Sequence, residues 1–377
     1  MTVLPFSPIR FATFNSALYR QTPGQLIEQL SFPHHPQIEK VAEIIQWVRP
    51  DILVLQEFDY DPEGKALHLF QENYLKISHH GAPPLTFLNT YAFSSNSGLP
   101  SGMDMDNDGR NDSPSDALGF GLYPGQYAFA ILSNYPILED NIRTFQKFLW
   151  KDMPRARLPH FPTGEPWYSQ EKLAILRLSS KNHVDVPIQF PTTLLHILIA
   201  HPTPPAFDGQ EFRNRLRNFD EIRLLTDYLT PETAYYLYDD QSRLGGLETT
   251  DHFVIMGDMN ADPYVGNSLK GAIEQLLHHP RVNSQVNEII PASQGSIENT
   301  LLHPEISSSY PMPLVHHTAS WGLRVDYILP SRELTIHDSA VFWPESTHAL
   351  HYLVEHDISS DHRLVWADIY LPRKTDS

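Results

Sequence analysis

Polar residues that can hold a metal ion or move a proton recur at the edges of apolar runs in this chain. Phe11-Ala12-Thr13-Phe14 ends on Asn15, and Ile52-Leu53-Val54-Leu55-Gln56 ends on Glu57. The run Leu194–Ala200 ends on His201. His252-Phe253-Val254-Ile255-Met256 leads into Gly257-Asp258-Met259-Asn260-Ala261-Asp262. Asp326 lies within Arg324-Val325-Asp326-Tyr327-Ile328-Leu329, and Asp361-His362 stands just ahead of Arg363-Leu364-Val365-Trp366. Carboxylates and amides offer the oxygens that hard divalent cations take. Imidazole and carboxylate are the side chains best suited to proton transfer near neutral pH.

Each position alone has an ordinary reading. Asn15 and the Asp-x-Asn-x-Asp stretch suit turns, Glu57 a solvated rim, His201 a hydrogen-bonded histidine, and Asp361-His362 a cap before the last strand. Turns alone do not account for all of them recurring at strand tips, where the ligand crevice of a layered α/β protein lies.

The elements that must carry these tips alternate along the chain. Strands are expected over 9–14, 52–55, 127–132, 173–178, 194–200, 253–256, 323–329, 335–342 and 364–371. Ile38, Val41, Ile45 and Val48 form a helical stripe that stops near Pro50. Phe212, Leu216, Phe219, Ile222, Leu225 and Leu229 mark a long amphipathic helix, and 269–277 a shorter one. Such interleaving indicates an α/β or α+β protein. Three stretches are poor in pattern, near 78–126, 143–171 and 279–320, and read as long insertions. With no repeat and no linker-like composition, residues 1–377 are expected to form one elaborated domain.

Composition narrows the chemistry. The 377 residues carry a net charge of −18. That disfavours duplex nucleic acid as a partner, because a phosphate backbone is bound mainly through cationic side chains. An acidic protein that handles phosphate needs cations at its site. With 0 cysteines, thiolate nucleophiles and sulfur-ligated zinc are excluded. No stretch of roughly 20 apolar residues offers a membrane span. Met1-Thr2-Val3-Leu4-Pro5-Phe6 has no signal-peptide pattern; the sequence leaves the compartment open, exported if the N-terminus has been processed and cytoplasmic otherwise. Nothing in the sequence reads out the oligomeric state.

Taken together, Phe11-Ala12-Thr13-Phe14-Asn15, Leu55-Gln56-Glu57, Gly257-Asp258-Met259-Asn260-Ala261-Asp262-Pro263, Arg324 to Ser331 and Ser359-Ser360-Asp361-His362-Arg363 resemble the motifs of the endonuclease/exonuclease/phosphatase family. The resemblance spans residues 11–365. It implies a DNase I-like four-layer α/β sandwich, with two packed mixed β-sheets flanked by helices. It also implies an Mg²⁺-dependent (or Mn²⁺-dependent) phosphoester hydrolase. In that reading Asn15, Glu57 and Asp361 serve the metal site, with Glu57 the direct ligand. Asp258 orients or activates the attacking water, Asn260 holds a phosphate oxygen, and Asp326 pairs with His362. His201 matches the histidine of the DNase and sphingomyelinase branches, although Ala200-His201-Pro202 departs from their usual Thr-His-Leu. The chemistry asks for these residue types: an anionic ester repels a nucleophile, so a cation must neutralise charge while a nearby base takes the water proton.

Two further stretches stand out. Arg213, Arg215, Arg217 and Arg223 cluster on the long helix. They form a solvated face, or Arg213, Arg215 and Arg217 reach the cleft and bind substrate phosphate. Asp104, Asp106 and Asp108 alternate ahead of Gly109, with Asp112 and Asp116 following, as in a calcium-type loop. Position 12 of that loop is Ser115 rather than Glu, so the stretch is no EF-hand; it is a structural Ca²⁺ loop or an acidic surface loop. The favoured function is a phosphodiesterase or phosphatase acting on a small or lipid-like phosphate. The alternatives are a nuclease and a non-catalytic binding protein, though the latter would be expected to have lost part of the set. A carboxylate glycosidase leaves the Asp-x-Asn and Asp-His pairs unexplained.

Overall fold

The computed structural model describes residues 7–302 and 313–372. Its strands are β1 (Ile9–Leu18), β2 (Ile52–Phe58), β3 (Asn89–Phe93), β4 (Phe129–Ser133), β5 (Arg143–Thr144), β6 (His183–Gln189), β7 (Leu194–Ala200), β8 (His252–Asp258), β9 (Asp326–Pro330), β10 (Thr335–Val341) and β11 (Val365–Tyr370). The α-helices are α1 (Gln25–Leu30), α2 (Pro36–Val48), α3 (Lys65–Phe70), α4 (Gln170–Leu173), α5 (Arg213–Tyr228), α6 (Glu274–Leu277) and α7 (Gln294–Leu302).

Two mixed sheets result, ordered β10-β11-β1-β2-β4-β3 and β5-β6-β7-β8-β9. Period-two alternation explains their packing. Val184, Val186 and Ile188, then Leu195, Ile197 and Ile199, then Val254 and Met256, enter one apolar core together with β1, β2, β4 and β11. The alternate residues Leu198 and Ala200, Phe253 and Ile255, Tyr327 and Leu329 enter a second core with Ile222, Leu224 and Leu225 of α5. The sheets therefore pack face to face, and α5 covers the outer face of the five-stranded sheet. On the other sheet, α2 starts with Pro36 in its first turn and buries Ile38, Val41, Ala42 and Ile45. It ends at left-handed Arg49, whose N–H donates to Ile45 O at 2.9 Å, just before Pro50. The expected two-sheet α/β architecture is thus present.

Local expectations fared unevenly. Residues 173–178 form no strand. The Ser169 side chain accepts from Lys172 N–H and caps α4, and Leu173, Leu176 and Leu178 turn into the outer core. The strand lies later, in β6, where His183, Asp185 and Pro187 hide the alternation. The helix expected over 269–277 shrinks to α6, because Gly271 at φ 87° breaks it. The stretch 78–126 contains β3, and 143–171 contains β5. Within 279–320, α7 forms, and residues 303–312 lie outside the described residues.

Candidate active site

Strand direction brings the polar tips together. β1 and β2 run parallel, as do β7 and β8, so Asn15, Glu57, His201 and Asp258 leave their strands at the same edge. β9 runs antiparallel to β8, with Asp326 opposite Asp258. β11 runs antiparallel to β1 and starts just after His362. Gly257 makes the approach of β8 to β7 feasible: a Cβ there would lie 2.0 Å from Ala200 O.

A chain of hydrogen bonds crosses both sheets at this edge. Asn15 Nδ2 donates to Asp258 Oδ2 at 3.1 Å. Asp258 Oδ1 accepts from Asn260 N–H at 2.9 Å, and Asn260 Nδ2 donates to Pro202 O at 3.1 Å. His201 Nε2 lies 3.4 Å and His362 Nε2 3.6 Å from Asp258 Oδ2. His362 Nδ1 donates to Asp326 Oδ2 at 3.0 Å, and Thr318 Oγ1 donates to the same oxygen at 2.7 Å. Ser360 Oγ donates to Asn15 O at 2.7 Å and accepts from His362 N–H at 3.1 Å, tying the Asp361-His362 loop to β1. Trp321 packs edge-on against His362, ring centroids 4.9 Å apart.

Electrostatics follows from this arrangement. Burial alone would push His362 down; the carboxylates of Asp326 and Asp258 reverse that and hold it protonated, up to about 10. Burial also opposes a charged Asp258, but His362, His201 and Asn15 outweigh it and keep the carboxylate well below its usual range. Burial pushes His201 down to about 4, so its imidazole is neutral, and among the described residues its buried Nδ1 has no hydrogen-bond partner. Glu57 is partly accessible yet hemmed in by protein, and burial pushes it up to about 7. It holds a left-handed backbone, φ 55°, as does Asn260 at φ 51°. Such strain is found where a side chain must be aimed.

A cleft of about 480 Å³ opens over these groups. Glu57, Asp258, Asn260, Asp361 and His362 face it, beside Tyr19, Tyr127, Phe207 and Trp321. Among the described residues lining it, none is Lys or Arg. The donor set beside Glu57 and Asp361 is oxygen-rich and suits a hard divalent cation. Atoms of Asp258, Asp326 and His362 also lie within 4.8 Å of one another, close enough to share an ion, but hydrogen bonds already engage them: His362 with Asp326, and Asp258 with Asn15 and Asn260.

The arginines of α5 lie elsewhere. Arg217 donates to the carbonyls of Leu178, Leu118 and Arg177. Arg215 lies 3.4 Å from Asp208 and over the Phe212 ring, and Arg213 lies 3.8 Å from Glu211. Arg223 pairs with Asp227 at 3.1 Å. In the acidic loop, Asp104, Asp106 and Asp108 converge within 4.8 Å, with Asp104 accepting from the N–H groups of Asp108 and Gly109. Asp112 pairs with Arg110, and Asp116 accepts from Met105 N–H and Ser113 N–H.

Sequence reasoning missed the supports. Asp59 accepts from Arg20 N–H, Tyr127 N–H and Tyr123 Oη, which fixes the aromatic wall of Tyr19 and Tyr127. Asn218 of α5 donates to Thr203 O and Met259 O, clamping the loops after β7 and β8. Glu221 and Lys181 are buried nearby. Their only sequence signal is a polar residue on an otherwise core-facing stretch.

The model of the Endonuclease/Exonuclease/phosphatase family matches residues 30–362. No curated protein matches the chain in sequence. Among solved structures, an endonuclease/exonuclease/phosphatase from Beutenbergia cavernae is similar at 13% identity and TM-score 0.52, over 98% of this chain and 73% of that one. The human nocturnin catalytic domain with bound sulfate matches at 15% identity and TM-score 0.45, over 98% and 95%. Sphingomyelinase C from Streptomyces griseocarneus matches at 13% identity and TM-score 0.45, over 96% and 99%. With a family match across most of its length and a site of this composition, the chain belongs to the endonuclease/exonuclease/phosphatase family of metal-dependent phosphoester hydrolases.

Proposed function

We propose that the protein is an Mg²⁺-dependent phosphodiesterase or phosphatase acting on a small or lipid-like phosphate. One observation carries the substrate class: the cleft over the catalytic tips is walled by aromatic and proline side chains and holds no Lys or Arg among its described lining. A duplex needs repeated cationic contacts to its backbone. A nuclease is the second reading, and Mn²⁺ a second metal.

Glu57 and Asp361, with Asn15, would hold the metal, which when bound neutralises charge on the phosphoryl group. Asp258, kept ionised, accepts the proton of the attacking water. His362, kept protonated by Asp326, offers an N–H to a phosphoryl oxygen or the leaving group. Asn260 holds a second oxygen. His201 does not line the cleft and acts through Asp258. The placement of Arg213, Arg215 and Arg217 favours structural roles over substrate binding. We also read the chain as one elaborated domain, supported by the core that both sheets share. Asp104, Asp106 and Asp108 are proposed to bind a structural Ca²⁺; a Tm that rises with Ca²⁺ and not in Asp104→Asn would support this.

The test is hydrolysis of bis-(p-nitrophenyl) phosphate and p-nitrophenyl phosphate with Mg²⁺, Mn²⁺ or EDTA. Wild type should turn over at least one ester only with metal, and His362→Ala should lose roughly 10²-fold or more. The rate should fall on the alkaline side as His362 deprotonates near about 10. Cleavage of duplex DNA in preference to both esters would favour the nuclease reading.

A further inference from the structure

The loop that leaves β7 sets a phenyl ring where packing gives it nothing. Phe207 is 94% exposed, yet it lines the same cleft as Glu57, Asp258, Asn260 and His362. Its backbone is left-handed, at φ 59°. That region is strained for a bulky side chain. Exposed apolar surface and backbone strain both act against folding, so neither the core nor the turn accounts for a phenyl ring here.

The ring is nevertheless held in place. Pro202, Pro204 and Pro205 fix φ along the loop. Pro202 O accepts from Asn260 Nδ2 at 3.1 Å. Thr203 O accepts from Asn218 Nδ2 at 2.9 Å, and Thr203 N–H donates to Glu221 Oε2 at 2.6 Å. On one side of Phe207, Ala206 O accepts from Asn214 Nδ2 at 2.7 Å. On the other, the Asp208 carboxylate accepts from Asn214 N–H at 2.7 Å and Arg215 N–H at 3.1 Å. Both flanks of the residue are thus fastened to the first turn of α5, and the start of the loop to Asn260 of the candidate site. A ring already fixed in water loses little further freedom when a ligand settles on it.

The rest of the cleft indicates what would settle there. With no Lys or Arg among the described lining, the ring is not paired with a seat for a second phosphate. Asp262, Asn267 and Ser268 interrupt the apolar lining that a long acyl chain would need to be continuous. The other walls offer rings: Tyr19 and Tyr127, with centroids 4.6 Å apart, and Trp321. Aromatic groups pair with one another by face and edge. We propose that Phe207 is a specificity-determining residue, a fixed platform on which the aromatic ring of a small phosphate ester stacks while the phosphoryl group lies over Glu57 and Asp258. The inference rests on the hydrolase reading and deepens it, choosing a small ring-bearing ester over a lipid-like one. The ring is either an aryl group carried directly on the phosphate or the base of a small nucleotide.

The experiment is calorimetric binding of two pairs of non-hydrolysable ligands to the full chain with Mg²⁺. One pair is phenylphosphonate and methylphosphonate; the other is the methylene phosphonates that replace adenosine 5′-phosphate and ribose 5-phosphate. Wild type should bind the ring-bearing member of at least one pair roughly tenfold more tightly. Phe207→Ala should close that gap to within about twofold, and Phe207→Tyr should keep it. A gap in the phenyl pair assigns the ring to the phosphate itself, and a gap in the nucleoside pair assigns it to a base. Because the side chain is exposed, Phe207→Ala and Phe207→Gly should melt within about 2 °C of wild type. With bis-(p-nitrophenyl) phosphate, Phe207→Ala should lower kcat/KM roughly tenfold, chiefly by raising KM, as expected of a group that binds ground state and transition state alike. No ring preference in either pair, or a preference that survives in Phe207→Ala, overturns the proposal. A Tm several degrees lower in both Phe207→Ala and Phe207→Gly assigns the residue to the fold and overturns it as well. Wild type that shows the ring preference but turns over neither nitrophenyl ester removes the hydrolase reading while the ring platform stands.

Discussion

A carboxylate enclosed by protein binds a proton and a metal ion in competition, and Glu57 is placed to show it. Burial pushes its carboxyl up to about 7, while His362, Asn15 and Lys181 pull the other way. Binding a divalent cation at ionised Glu57 must therefore expel a proton below that pH and none well above it. Calorimetry of Mn²⁺ binding in two buffers of different ionisation enthalpy should give close to one proton released at about pH 6 and almost none at about pH 8.5. Glu57→Gln should abolish the difference and weaken binding. Equal release at both pH values would place the metal on other ligands. At this scale the sequence was informative about identity and silent about support. Asn15, Glu57, Asp258, Asn260, Asp326 and His362 stand at apolar-run edges and could be named. Thr318 and Asn218 could not, because each is placed by a partner outside its own element, as Asn218 is by Thr203 O and Met259 O.

Elements convert those residues into a site, and β7 and β8 fit closely at the tips that carry it. Gly257 stands where a Cβ would meet Ala200 O at 2.0 Å, one residue before Asp258 and one before His201. Gly257→Ala must push the two strands apart or twist β8, moving Asp258 relative to His201 and Asn15. Overpacking of this kind costs about 2–3 kcal/mol, so denaturant unfolding should show a loss of that size. Metal-dependent turnover should fall by more than the folded fraction does. An active, equally stable Gly257→Ala would mean that β8 has slack at its tip. Legibility at this scale tracked periodicity. β7, β8 and β11 were readable because apolar residues run through them, and α5 because its stripe spans five turns. β6 was missed because His183, Asp185 and Pro187 occupy one of its faces. The 173–178 run was misread because its leucines alternate without any strand to pair with beyond the Leu149–Arg177 bridge.

Across the whole molecule, several titratable groups are buried in one protonation state, and their signs decide its pH tolerance. Burial pushes His183, His201 and His317 each down to about 4. A histidine whose folded value lies below its unfolded value takes up its proton sooner in the unfolded chain. Its contribution to stability is therefore present above about 6.5 and is lost as pH falls toward about 4. Asp59 works the other way: burial pushes it up to about 6, so the folded state gains as pH drops below that value. A chain of net charge −18 also sheds self-repulsion as carboxylates protonate. Asp326 is pushed up to about 6 by burial as well; three buried histidines against these two aspartates, with self-repulsion spread over an exposed surface and screened by salt, leave the histidines ahead. Urea midpoints taken with Mg²⁺ present, which would keep Glu57 ionised if it is the metal ligand proposed above, should fall steadily between about pH 6.5 and pH 4.5, by of order a few kcal/mol in stability. A midpoint that rises over that range would assign the larger share to Asp59 and surface charge, and would place the buried histidines in wetter surroundings than their packing implies.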